Sequence, residues 1–460
     1  MADLHVVILA AGKGTRMKSA LPKVLHRVAG APMIEYVLST ARTLKPRSIT
    51  VVVGHQSQAL QQALSPHSDL VIVVQEPQLG TAHALLTAET ALREAKGTVV
   101  LLSGDVPLLT SDTLKALVDR HEAARAAATV ITATVDEPAG YGRIIRSGGQ
   151  IARIVEERDA TPAERAIREI NAGIYAFRLD GLFETLQNIA ATNAQREYYL
   201  PDIIAVCGTR GLPVETVSVE NPEETQGINS RVELATVSRI VRQKKNAELM
   251  AAGVTIEDPA TTYVDPDVEI GMDTIIHPGV SLEGRTTIGT ACEIHSGVRI
   301  VNSQLGNRVT VLNHCLINNS TVASHSSIGP FAHLRTDVSI GERAKVGNFV
   351  ELKKTELGAG AKANHLAYLG DSKIGAKANI GAGTITCNYD GIKKSPTRIG
   401  DRAFIGSNST LVAPVEIGTG AYVGAGSVIT DAVPEDALAL GRERQVVKPG
   451  WAKARREKQK

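Results

Sequence analysis

The sequence predicts two domains of different architecture: an α/β domain with a mostly parallel sheet, followed by a parallel β-helix. Three observations lead to this prediction. Strand-like and helix-like segments alternate over residues 4–227, a six-residue repeat extends from Val264 to Thr430, and no Gly or Pro occurs over 228–252. We therefore expect a first domain over 1–227, a connecting helix over 228–252 and a second domain over 253–460.

The first domain contains short apolar runs of the kind that form buried parallel strands. Helix-like stretches such as PMIEYVLSTARTL and GTAHALLTAETALREA lie between them. This alternation predicts a mostly parallel sheet with helices on both faces. The runs are VVILAAG, SITVVVG, LVIVVQE and TVVLLSGD.

The composition excludes several classes of protein. A net charge of +2 over 460 residues gives no large electrostatic footprint for nucleic acid. Only the tail over 448–460 is strongly basic, and we expect it to be solvated and partly disordered. The start, MADLHVVILAAG, lacks the layout of a signal peptide or membrane span, so we expect a cytoplasmic protein. No CxxC pair is present, so neither a zinc site nor a disulfide framework is indicated for Cys207, Cys292, Cys315 and Cys387.

The second domain repeats an aliphatic residue every six positions, with a small residue four places later. Each six would form one short strand and one corner, with the aliphatic side chain in a narrow core. At three sixes to a coil, the repeat predicts roughly nine coils. The aligned positions are Val264, Ile270, Ile276, Leu282, Ile288, Ile294, Val322, Ile328, Leu334, Ile340, Val346, Ile374, Ile380, Ile399, Ile405, Leu411, Ile417 and Val423.

One segment interrupts this repeat, which stops at Thr386 and resumes at Ile399. Because the coils are continuous, the segment must leave the β-helix at a corner and project outward. It includes an Asn, a Tyr and two Lys, in NYDGIKK. Ordering such a loop is costly unless something fixes it, so the alternatives are a mobile surface loop and a functional element.

A glycine loop, LAAGKGTRM, directly follows the first strand. Gly12 and Gly14 would let the backbone approach phosphates, while Lys13, Arg16 and Lys23 supply positive charge. The spacing fits neither GxxxxGK[ST] nor GxGxxG, so the loop alone is a weak signal.

Polar residues follow the next strands of the same domain. Asp105, in SGDVPLL, would lie at the carboxyl end of a strand, where a carboxylate can bind Mg²⁺. A turn or helix-capping Asp is the alternative. In QLGTAHA, Gly80 and Thr81 mark a turn suited to close contact with a flat base, and Gln75 has the donor and acceptor needed to pair with uracil.

The string LAAGKGTRMKSALPKVL resembles the signature of sugar nucleotidyltransferases. Together with the second half, the chain resembles the family of bacterial bifunctional N-acetylglucosamine-1-phosphate uridyltransferases and glucosamine-1-phosphate N-acetyltransferases over essentially its whole length. The motifs that carry this resemblance are LAAGKGTRM, LPKVLH, GYGRI, IVEERDA, EINAGIY, EYYLPDII, VGNFVELKK, NIGAGTITCNYDG and FIGS.

The resemblance implies a nucleotidyltransferase α/β domain and a left-handed β-helix that assembles as a homotrimer, with acetyltransferase sites between the prisms. It implies acetylation of glucosamine 1-phosphate by acetyl-CoA. The N-acetylglucosamine 1-phosphate formed would then attack UTP, with Mg²⁺ present, giving pyrophosphate and UDP-N-acetylglucosamine for the cell wall. No nucleic acid or membrane partner is implied.

For uridylyl transfer, the resemblance assigns residues motif by motif. The family often has Tyr-Gly-Asp where this chain has Ser103-Gly104-Asp105, so a ring contact at position 103 is not carried over. The assigned residues are Leu9, Ala10, Ala11 and Gly12 for the nucleotide; Arg16 and Lys23, as catalytic residues, for the phosphates; Gln75, Gly80 and Thr81 for uracil; Gly140, Glu156 and Asn171 for the sugar; Asp105 and Asn229 for Mg²⁺.

For acetyl transfer, the resemblance assigns His365 as the base. The amine of the substrate must lose a proton before it attacks a thioester, and an imidazole can take that proton at neutral pH. His314, His325 and His333 are interpreted as surface residues. The other assigned residues are Arg335 and Lys353 for the sugar phosphate; Tyr368, Asn379, Asn388 and Tyr389 for the sugar and thioester, with Lys394 nearby; Ala382, Ser407, Ala425 and Arg442, with Asn388 and Tyr389, for coenzyme A.

Two alternatives remain at this point. One is a single-activity sugar-nucleotide pyrophosphorylase whose β-helix is regulatory, and His365 together with the NYDGIKK loop argues against it. The other is an assembly subunit with an inactive transferase fold. The presence of Arg16, Lys23, Asp105 and Asn229 argues against that second alternative.

Overall fold

The computed structural model describes residues 3–12, 14–54 and 57–458. The chain divides into two compact units between Val241 and Arg242. This division falls within a helix, Arg231–Ala251, in the segment predicted as a connecting helix. The predicted domain limits at 227 and 252 remain a prediction.

The first unit is built on a nine-stranded sheet in the order β9-β5-β8-β4-β1-β2-β3, with the β6–β7 hairpin attached to β8. Neighbouring strands on this path are parallel except where β8 pairs with β4 and β5. The strands are β1 Leu4–Ala10, β2 Ser48–Val53, β3 Leu70–Val74, β4 Thr98–Ser103, β5 Ala128–Thr134, β6 Arg143–Ser147, β7 Gln150–Val155, β8 Glu169–Arg178 and β9 Val214–Ser218.

Helices cover both faces of this sheet because its central strands are apolar on both sides. Val6 and Ile8 pack in one hydrophobic cluster and Val7 in another, as alternation along a strand requires. A small hairpin, Arg27–Val28 with Ala31–Pro32, lies outside the sheet. The α-helices are Met33–Thr43, Ser57–Leu64, Thr81–Thr87, Glu89–Leu92, Ser111–Ala123, Pro162–Arg165, Leu182–Gln187 and Asp202–Thr209, and the 3₁₀ helices are Thr15–Met17, Lys23–Leu25 and Pro222–Thr225.

The second unit is a left-handed parallel β-helix of hexapeptide repeats, as predicted. Its three sheets contain 11, 10 and 9 strands. Seventeen of the eighteen aligned aliphatic positions are buried, and Ile270 is partly buried. The 11 strands of the first sheet are Thr255–Ile256, Ile275–Ile276, Glu293–Ile294, Thr310–Val311, Ser327–Ile328, Lys345–Asn348, Lys362–His365, Asn379–Ile380, Phe404–Ile405, Tyr422–Val423 and Leu438–Ala439.

The other two sheets have the same architecture. The second contains Tyr263–Val264, Ser281–Glu283, Arg299–Val301, Leu316–Asn318, His333–Leu334, Glu351–Lys353, Tyr368–Gly370, Ile385–Cys387, Thr410–Val412 and Val428–Ile429. The third contains Glu269–Ile270, Thr287–Ile288, Gln304–Leu305, Ser320–Val322, Val338–Ile340, Glu356–Leu357, Ser372–Ile374, Thr397–Ile399 and Val415–Ile417.

The β-helix is longer than the roughly nine coils predicted from the repeat. Its first strand begins at Thr255 and its last ends at Ala439, outside the range of the aligned sixes. Several coils are also one residue short. Ile288 pairs with Leu305, so the aliphatic residue after Ile300 comes five positions later instead of six. Leu305 in turn pairs with Val322, so a second coil is also one residue short, and these two missing residues broke the strict alignment between Ile294 and Val322.

The interruption leaves the coils at the corner between Cys387 and Thr397, as expected. The loop folds onto itself, because Tyr389 and Lys394 form a bridge and Asp390 Oδ1 accepts from the Ile392 and Lys393 amides. The coil continues beyond it without a shift, since Ile374 pairs with Ile399.

The basic tail is exposed along its described residues, as expected, although Trp451–Glu457 forms a helix. Within the described part of the chain, no helix has both the length and the apolar composition needed to cross a membrane.

Candidate active sites

A cleft of about 530 Å³ opens at the carboxyl ends of strands β1 and β4. These strands are neighbours, with Leu9 paired to Ser103. The polar residues that follow them therefore converge at one edge of the sheet, where open α/β sheets bind ligands. The cleft brings together twelve of the predicted residues: Leu9, Ala10, Ala11, Gly12, Arg16, Lys23, Gln75, Gly80, Thr81, Ser103, Asp105 and Asn229.

The glycine loop turns sharply at the mouth of this cleft. Gly14 has φ +58°, and a Cβ atom there would lie 2.8 Å from Cβ of Lys23. Only glycine suits both the left-handed backbone and this close approach. The short helix Thr15–Met17 follows at once and brings Arg16 to the cleft. Lys13, also considered for this loop, lies outside the described residues.

Three polar side chains meet at the floor of the cleft. The Lys23 ammonium contacts the Asp105 carboxylate and also donates to Asn229 Oδ1 over 2.8 Å. The backbone holds two of them together, because the Ile228 amide donates to the Asp105 carbonyl over 3.0 Å. The backbone amide of Asn229 in turn donates to Glu233 Oε2 over 2.6 Å. The carboxylate and the amide oxygen thus converge on one cation.

The predicted uracil side is a rigid turn. Gly80 has φ +112°, and a Cβ atom there would lie 2.6 Å from the Tyr198 carbonyl oxygen. Thr81 Oγ1 accepts from the Leu200 amide over 3.0 Å, which ties the turn to the same segment. The buried Gln75 amide donates to the Gly80 carbonyl over 3.0 Å and lies 3.0 Å from His83 Nδ1.

Gln78, Gln195 and Glu197 also line the cleft, and sequence reasoning missed them. The Gln78 side chain donates to the Ala11 carbonyl, directly behind the glycine loop. Its position in PQLGTAHA, two residues before Gly80, was the only available signal. Glu197 begins the motif EYYLPDII, which carries the family resemblance, but no role was assigned to it.

The predicted sugar residues form a separate group beside the cleft. Glu156 and Asn171 flank Gly142, where a Cβ atom would lie 3.1 Å from Glu156 Oε1 and 3.5 Å from Asn171 Cβ. Asn171 Oδ1 accepts from the Gly173 amide and the Tyr175 hydroxyl, each over 3.0 Å. These two contacts fix the orientation of the Asn171 amide.

Burial raises the pKa of Glu156, and the nearby carboxylates Asp202 and Asp159 raise it further. Its protonated form can both donate and accept a hydrogen bond. A carboxyl group with a raised pKa beside Asn171 suits recognition of sugar hydroxyl groups.

Gly140 and Gly104 are not among the residues that line the cleft. Gly140 is exposed, with φ +87°, and its amide lies 3.3 Å from Glu157 Oε2. Gly104 is buried, and a Cβ atom there would lie 3.1 Å from the Leu9 carbonyl oxygen. In this structure Gly104 therefore permits close packing against β1.

In the β-helix, strand register stacks several predicted residues in one column. Asn348 pairs with His365, and the pairings of Ala363 with Ile380, Ile380 with Ile405 and Ile405 with Val423 extend the column. Successive members are about 4.8 Å apart, the ordinary strand spacing. The column consists of Asn348, His365, Ala382, Ser407 and Ala425, so the predicted base and three of the predicted coenzyme A positions share one corner.

The exposed His365 has a defined partner within this column. Its Nδ1 lies 2.6 Å from Asn348 Oδ1. The Gly383 amide contacts the His365 carbonyl over 3.3 Å, which holds the backbone at the corner. Arg442 lies near the far end of the column, with its Cδ 3.9 Å from a Cβ placed on Gly426. Asn379 lies opposite Lys362, on the flat part of the strand rather than at the corner.

A cationic group lies on the neighbouring face. The neighbouring Lys353 side chain lowers the pKa of Lys394. Two ammonium groups this close repel each other unless an anion lies between them. Arg335 occupies the same register column as Lys353, one coil earlier, and donates to Glu351 Oε1 over 2.9 Å.

The start of the NYDGIKK loop packs on this face. The buried Asn388 side chain donates to Asp371, and its nitrogen lies 2.8 Å from a Cβ placed on Gly370. The Tyr368 hydroxyl lies 2.7 Å from the same point. Tyr389 points outward, 58% exposed, with its hydroxyl donating to the Gly391 carbonyl over 2.5 Å.

Asn348 and Asp371 were missed by sequence reasoning. Both are polar groups whose role depends on the neighbouring coil, and the coils there are not spaced by a strict six. Asn348 nevertheless lies in the motif VGNFVELKK, and Asp371 ends the segment ANHLAYLGD that contains His365, so a signal for each was present.

Comparison with known proteins gives separate matches for the first and second parts of the chain. Residues 6–171 match the model of the MobA-like NTP transferase domain. Residues 396–431 match the hexapeptide repeat of succinyl-transferase, and residues 259–336 match the GMPPB C-terminal domain. The bifunctional protein GlmU of Anaeromyxobacter dehalogenans strain 2CP-C is 53% identical over 99% of this chain and 94% of its own length.

The chain belongs to the family of bifunctional GlmU proteins. Members from Shouchella clausii and Pelobacter propionicus are 48% and 44% identical, each over 98% of this chain and 99% and 98% of their own lengths. Membership of the GlmU family confirms the prediction of a bifunctional enzyme for UDP-N-acetylglucosamine synthesis by uridylyl and acetyl transfer. The single-activity and non-enzymatic alternatives are set aside.

Proposed function

We propose that the cleft of the first unit binds UTP, N-acetylglucosamine 1-phosphate and Mg²⁺, with Asp105 and Asn229 as the metal ligands. The observation that carries this proposal is the convergence of both side-chain oxygens on the Lys23 ammonium. Two oxygen ligands that already share a cation are suited to Mg²⁺, which uses few protein ligands and retains several waters. When bound, Mg²⁺ would withdraw charge from phosphate oxygens.

The protein groups in this cleft position the nucleotide and neutralise charge. The phosphate of N-acetylglucosamine 1-phosphate attacks the α-phosphorus of UTP in line, and pyrophosphate leaves. Lys23 and Arg16 stabilise the negative charge on the reacting and departing phosphates. Gln75, Gly80 and Thr81 hold uracil, since their rigid turn presents fixed donors and acceptors.

The sugar of the acceptor is assigned to the group beside the cleft. Asn171 has its carbonyl oxygen occupied by two donors, so its amide hydrogens are free to face a ligand. Glu156, with its raised pKa, complements it as a donor or acceptor. Gly140 contributes backbone contacts in an exposed turn.

We further propose that His365 is the base for acetyl transfer. With Asn348 Oδ1 accepting at Nδ1, the lone pair of the neutral imidazole lies on Nε2. This nitrogen removes a proton from the ammonium group of glucosamine 1-phosphate, and the free amine attacks the thioester carbonyl of acetyl-CoA. The C–S bond then breaks, and coenzyme A leaves as its thiolate. Coenzyme A follows the corner column through Ala382, Ser407 and Ala425 to Arg442.

The sugar phosphate lies against the cations of the neighbouring face. Arg335, Lys353 and Lys394 would bind it, and Asn388, Tyr368 and Asn379 would position the sugar. Tyr389 points away from its own coil, which suits a contact with coenzyme A or another chain. We propose that the active assembly is a homotrimer in which the NYDGIKK loop of one chain completes the site of a neighbour.

Paired assays on the full-length protein test both assignments. Asp105→Asn should abolish pyrophosphate release from UTP and N-acetylglucosamine 1-phosphate while coenzyme A release from acetyl-CoA continues. His365→Ala should do the reverse and lower acetyl transfer by a factor of about 10² to 10⁴. More alkaline buffer should restore part of this loss, because more of the substrate amine is then unprotonated.

Two control variants make the same substitutions, Asp to Asn and His to Ala, at exposed residues outside the proposed sites. Asp119→Asn removes an exposed carboxylate that pairs with Lys115, and His325→Ala removes an exposed histidine of the β-helix. Both should retain both activities. Loss of acetyl transfer in Asp105→Asn would contradict two separate sites, and an unimpaired His365→Ala enzyme at pH 7 would exclude His365 as the base.

A further inference from the structure

Four side chains of the first coils form a cluster outside the residues assigned to the two transferase sites. Ile256 pairs with Ile276, and Ile276 pairs with Ile294. The residues that follow them, Glu257, His277 and His295, are therefore stacked on consecutive coils. Backbone hydrogen bonds continue the register, since the Glu257 amide donates to the Ile276 carbonyl and the His277 amide to that of Ile294.

Glu293 completes the cluster from the strand that precedes His295. Its Oε1 lies 3.4 Å from His277 Nε2 and 3.2 Å from His295 Nε2. The two imidazole rings stack with their centroids 4.6 Å apart and an interplanar angle of 18°. One potential ligand atom from each of these three residues lies within 4.8 Å of the others.

These separations match those between ligands of a tetrahedral transition-metal ion. With metal–ligand distances of about 2.0–2.1 Å and tetrahedral angles, neighbouring ligand atoms are about 3.3 Å apart. Both carboxylate–imidazole separations are already at that value. The ligand atoms of the two imidazoles lie within 4.8 Å of each other, so a bound metal would need only a small shift of the rings.

Glu257 fixes the orientation of one of the histidines. His277 Nδ1 lies 2.9 Å from Glu257 Oε2. A neutral His277 with its hydrogen on Nδ1 presents the lone pair of Nε2 toward Glu293 and His295. A carboxylate behind a metal-binding imidazole is the common arrangement in protein metal sites, because it sets the tautomer and the ring angle.

We propose that His277, His295 and Glu293 bind a divalent transition metal of the zinc and cobalt class. Two imidazole nitrogens and one carboxylate oxygen are a ligand set typical of these ions. The side chains of His277 and His295 are 22% and 24% exposed, so water can take the remaining coordination position. Because the ligands come from adjacent coils, the metal would also cross-link the start of the β-helix.

The same contacts could instead be an ion-pair network between protonated histidines and the two glutamates, with no affinity for metal. Cysteine spacing gave no indication of a zinc site, and this ligand set contains no cysteine. The two explanations differ in what the purified chain does with added metal.

The test is titration of the metal-free full-length protein with Co²⁺ and Cu²⁺. All proteins in this test carry Asp105→Asn, so that the proposed Mg²⁺ site is disabled. We expect one strong Co²⁺ site per chain, with the visible absorption of a four- or five-coordinate ion that Zn²⁺ displaces. The Cu²⁺ form should show hyperfine coupling to two nitrogens in its electron paramagnetic resonance spectrum.

His277→Gln and His295→Gln should each weaken Co²⁺ binding at least 100-fold and leave one coupled nitrogen. Glu257→Gln, which alters only the group behind His277, should weaken it about 10- to 100-fold. His325→Gln is the matched control and should bind like the background protein. Absence of a strong site, or a spectrum unchanged in both His277→Gln and His295→Gln, would overturn the proposal and leave the ion-pair network.

Discussion

His365 Nδ1 lies 2.6 Å from Asn348 Oδ1, and the two residues are direct register partners on neighbouring coils. An amide oxygen can only accept, so this contact requires the hydrogen of a neutral imidazole to be on Nδ1. The remaining nitrogen, Nε2, is then the basic one. Asn348 is therefore a positioning residue for the proposed base.

We predict that Asn348→Ala lowers acetyl transfer about 10- to 100-fold, because a misplaced base loses much of its effect. KM for both substrates should change little, since Asn348 is not assigned to either, and uridylyl transfer should be unaffected. The pH dependence of kcat distinguishes this role from a general loss of structure. A change in the tautomer or orientation of the His365 imidazole should alter the acidic side of the pH profile. Asn348→Asp, which keeps an acceptor, should restore part of the activity. Asn313→Ala on the same β-helix is the control.

Lys353 and Lys394 lead to a prediction about substrate affinity. The Lys353 side chain lowers the pKa of Lys394, so the two ammonium groups repel each other until an anion joins them. Either Lys353→Met or Lys394→Met should raise KM for glucosamine 1-phosphate about tenfold or more, because each variant removes a cation from the proposed phosphate site. KM for acetyl-CoA should stay constant.

The matched control is Lys373→Met, which removes a lysine that pairs with Glu356 over 2.9 Å on another face. In the Lys353→Met protein, the pKa of Lys394 should rise toward its ordinary value, as measured by NMR of the labelled side chain. An unchanged pKa together with an unchanged KM would contradict the shared phosphate site.

Local patterns in the sequence were sufficient to predict the architecture. Apolar runs between turns predicted the strands β1 to β4, and the aliphatic repeat predicted the inward-facing positions of the β-helix, because a single period determines which side chains are buried. The same reasoning failed at Leu305, where a coil lacks one residue. A strict period cannot detect a shortened corner, whereas the observed register can.

The candidate sites were predictable only in part. Asp105 and the glycine loop follow strands, so their convergence at one sheet edge followed from topology. The contact of Lys23 with Asn229 joins residues 206 positions apart, and only the resemblance to a family linked them. Asn348 lies in the motif VGNFVELKK, but no role was assigned to it, because its function depends on which residue lies on the next coil.

Glu156 leads to a prediction about stability. Its pKa is raised in the folded protein by burial and by Asp202 and Asp159, whereas an unfolded glutamate titrates near 4.3. Its contribution to stability is complete below that value and is lost as pH rises through the folded pKa, because the unfolded chain then releases the proton more readily. Glu156→Gln should therefore raise the melting temperature at pH 8 and leave it nearly unchanged at pH 4.

The same substitution should weaken binding of N-acetylglucosamine 1-phosphate, because an amide cannot reproduce both hydrogen-bonding states of the acid. Scanning calorimetry at the two pH values measures the first effect, and KM in the uridylyl assay measures the second. Glu157→Gln is the control, because a hydrogen bond from Arg143 lowers the pKa of the Glu157 carboxyl group. The effect of this variant on the melting temperature should therefore change with pH in the opposite direction. A melting temperature that falls at pH 8 in Glu156→Gln would contradict the assignment.

The NYDGIKK loop leads to a prediction about assembly. Asn388 is buried against its own coil, whereas Tyr389 is 58% exposed and Ile392 is 93% exposed. We therefore predict that this ordered loop contacts another chain in the proposed homotrimer. If that contact completes a neighbouring site, a trimer of His365→Ala chains should be defective in acetyl transfer. A trimer of chains that carry both Tyr389→Ala and Ile392→Ala should be defective as well.

Refolding the two variants together should create some sites with an intact His365 from one chain and an intact loop from another, and activity should return. Sites that draw both elements from one chain would keep a defect in every mixed trimer. Mass measurement of mixed trimers that remain inactive would therefore show that the loop serves its own prism.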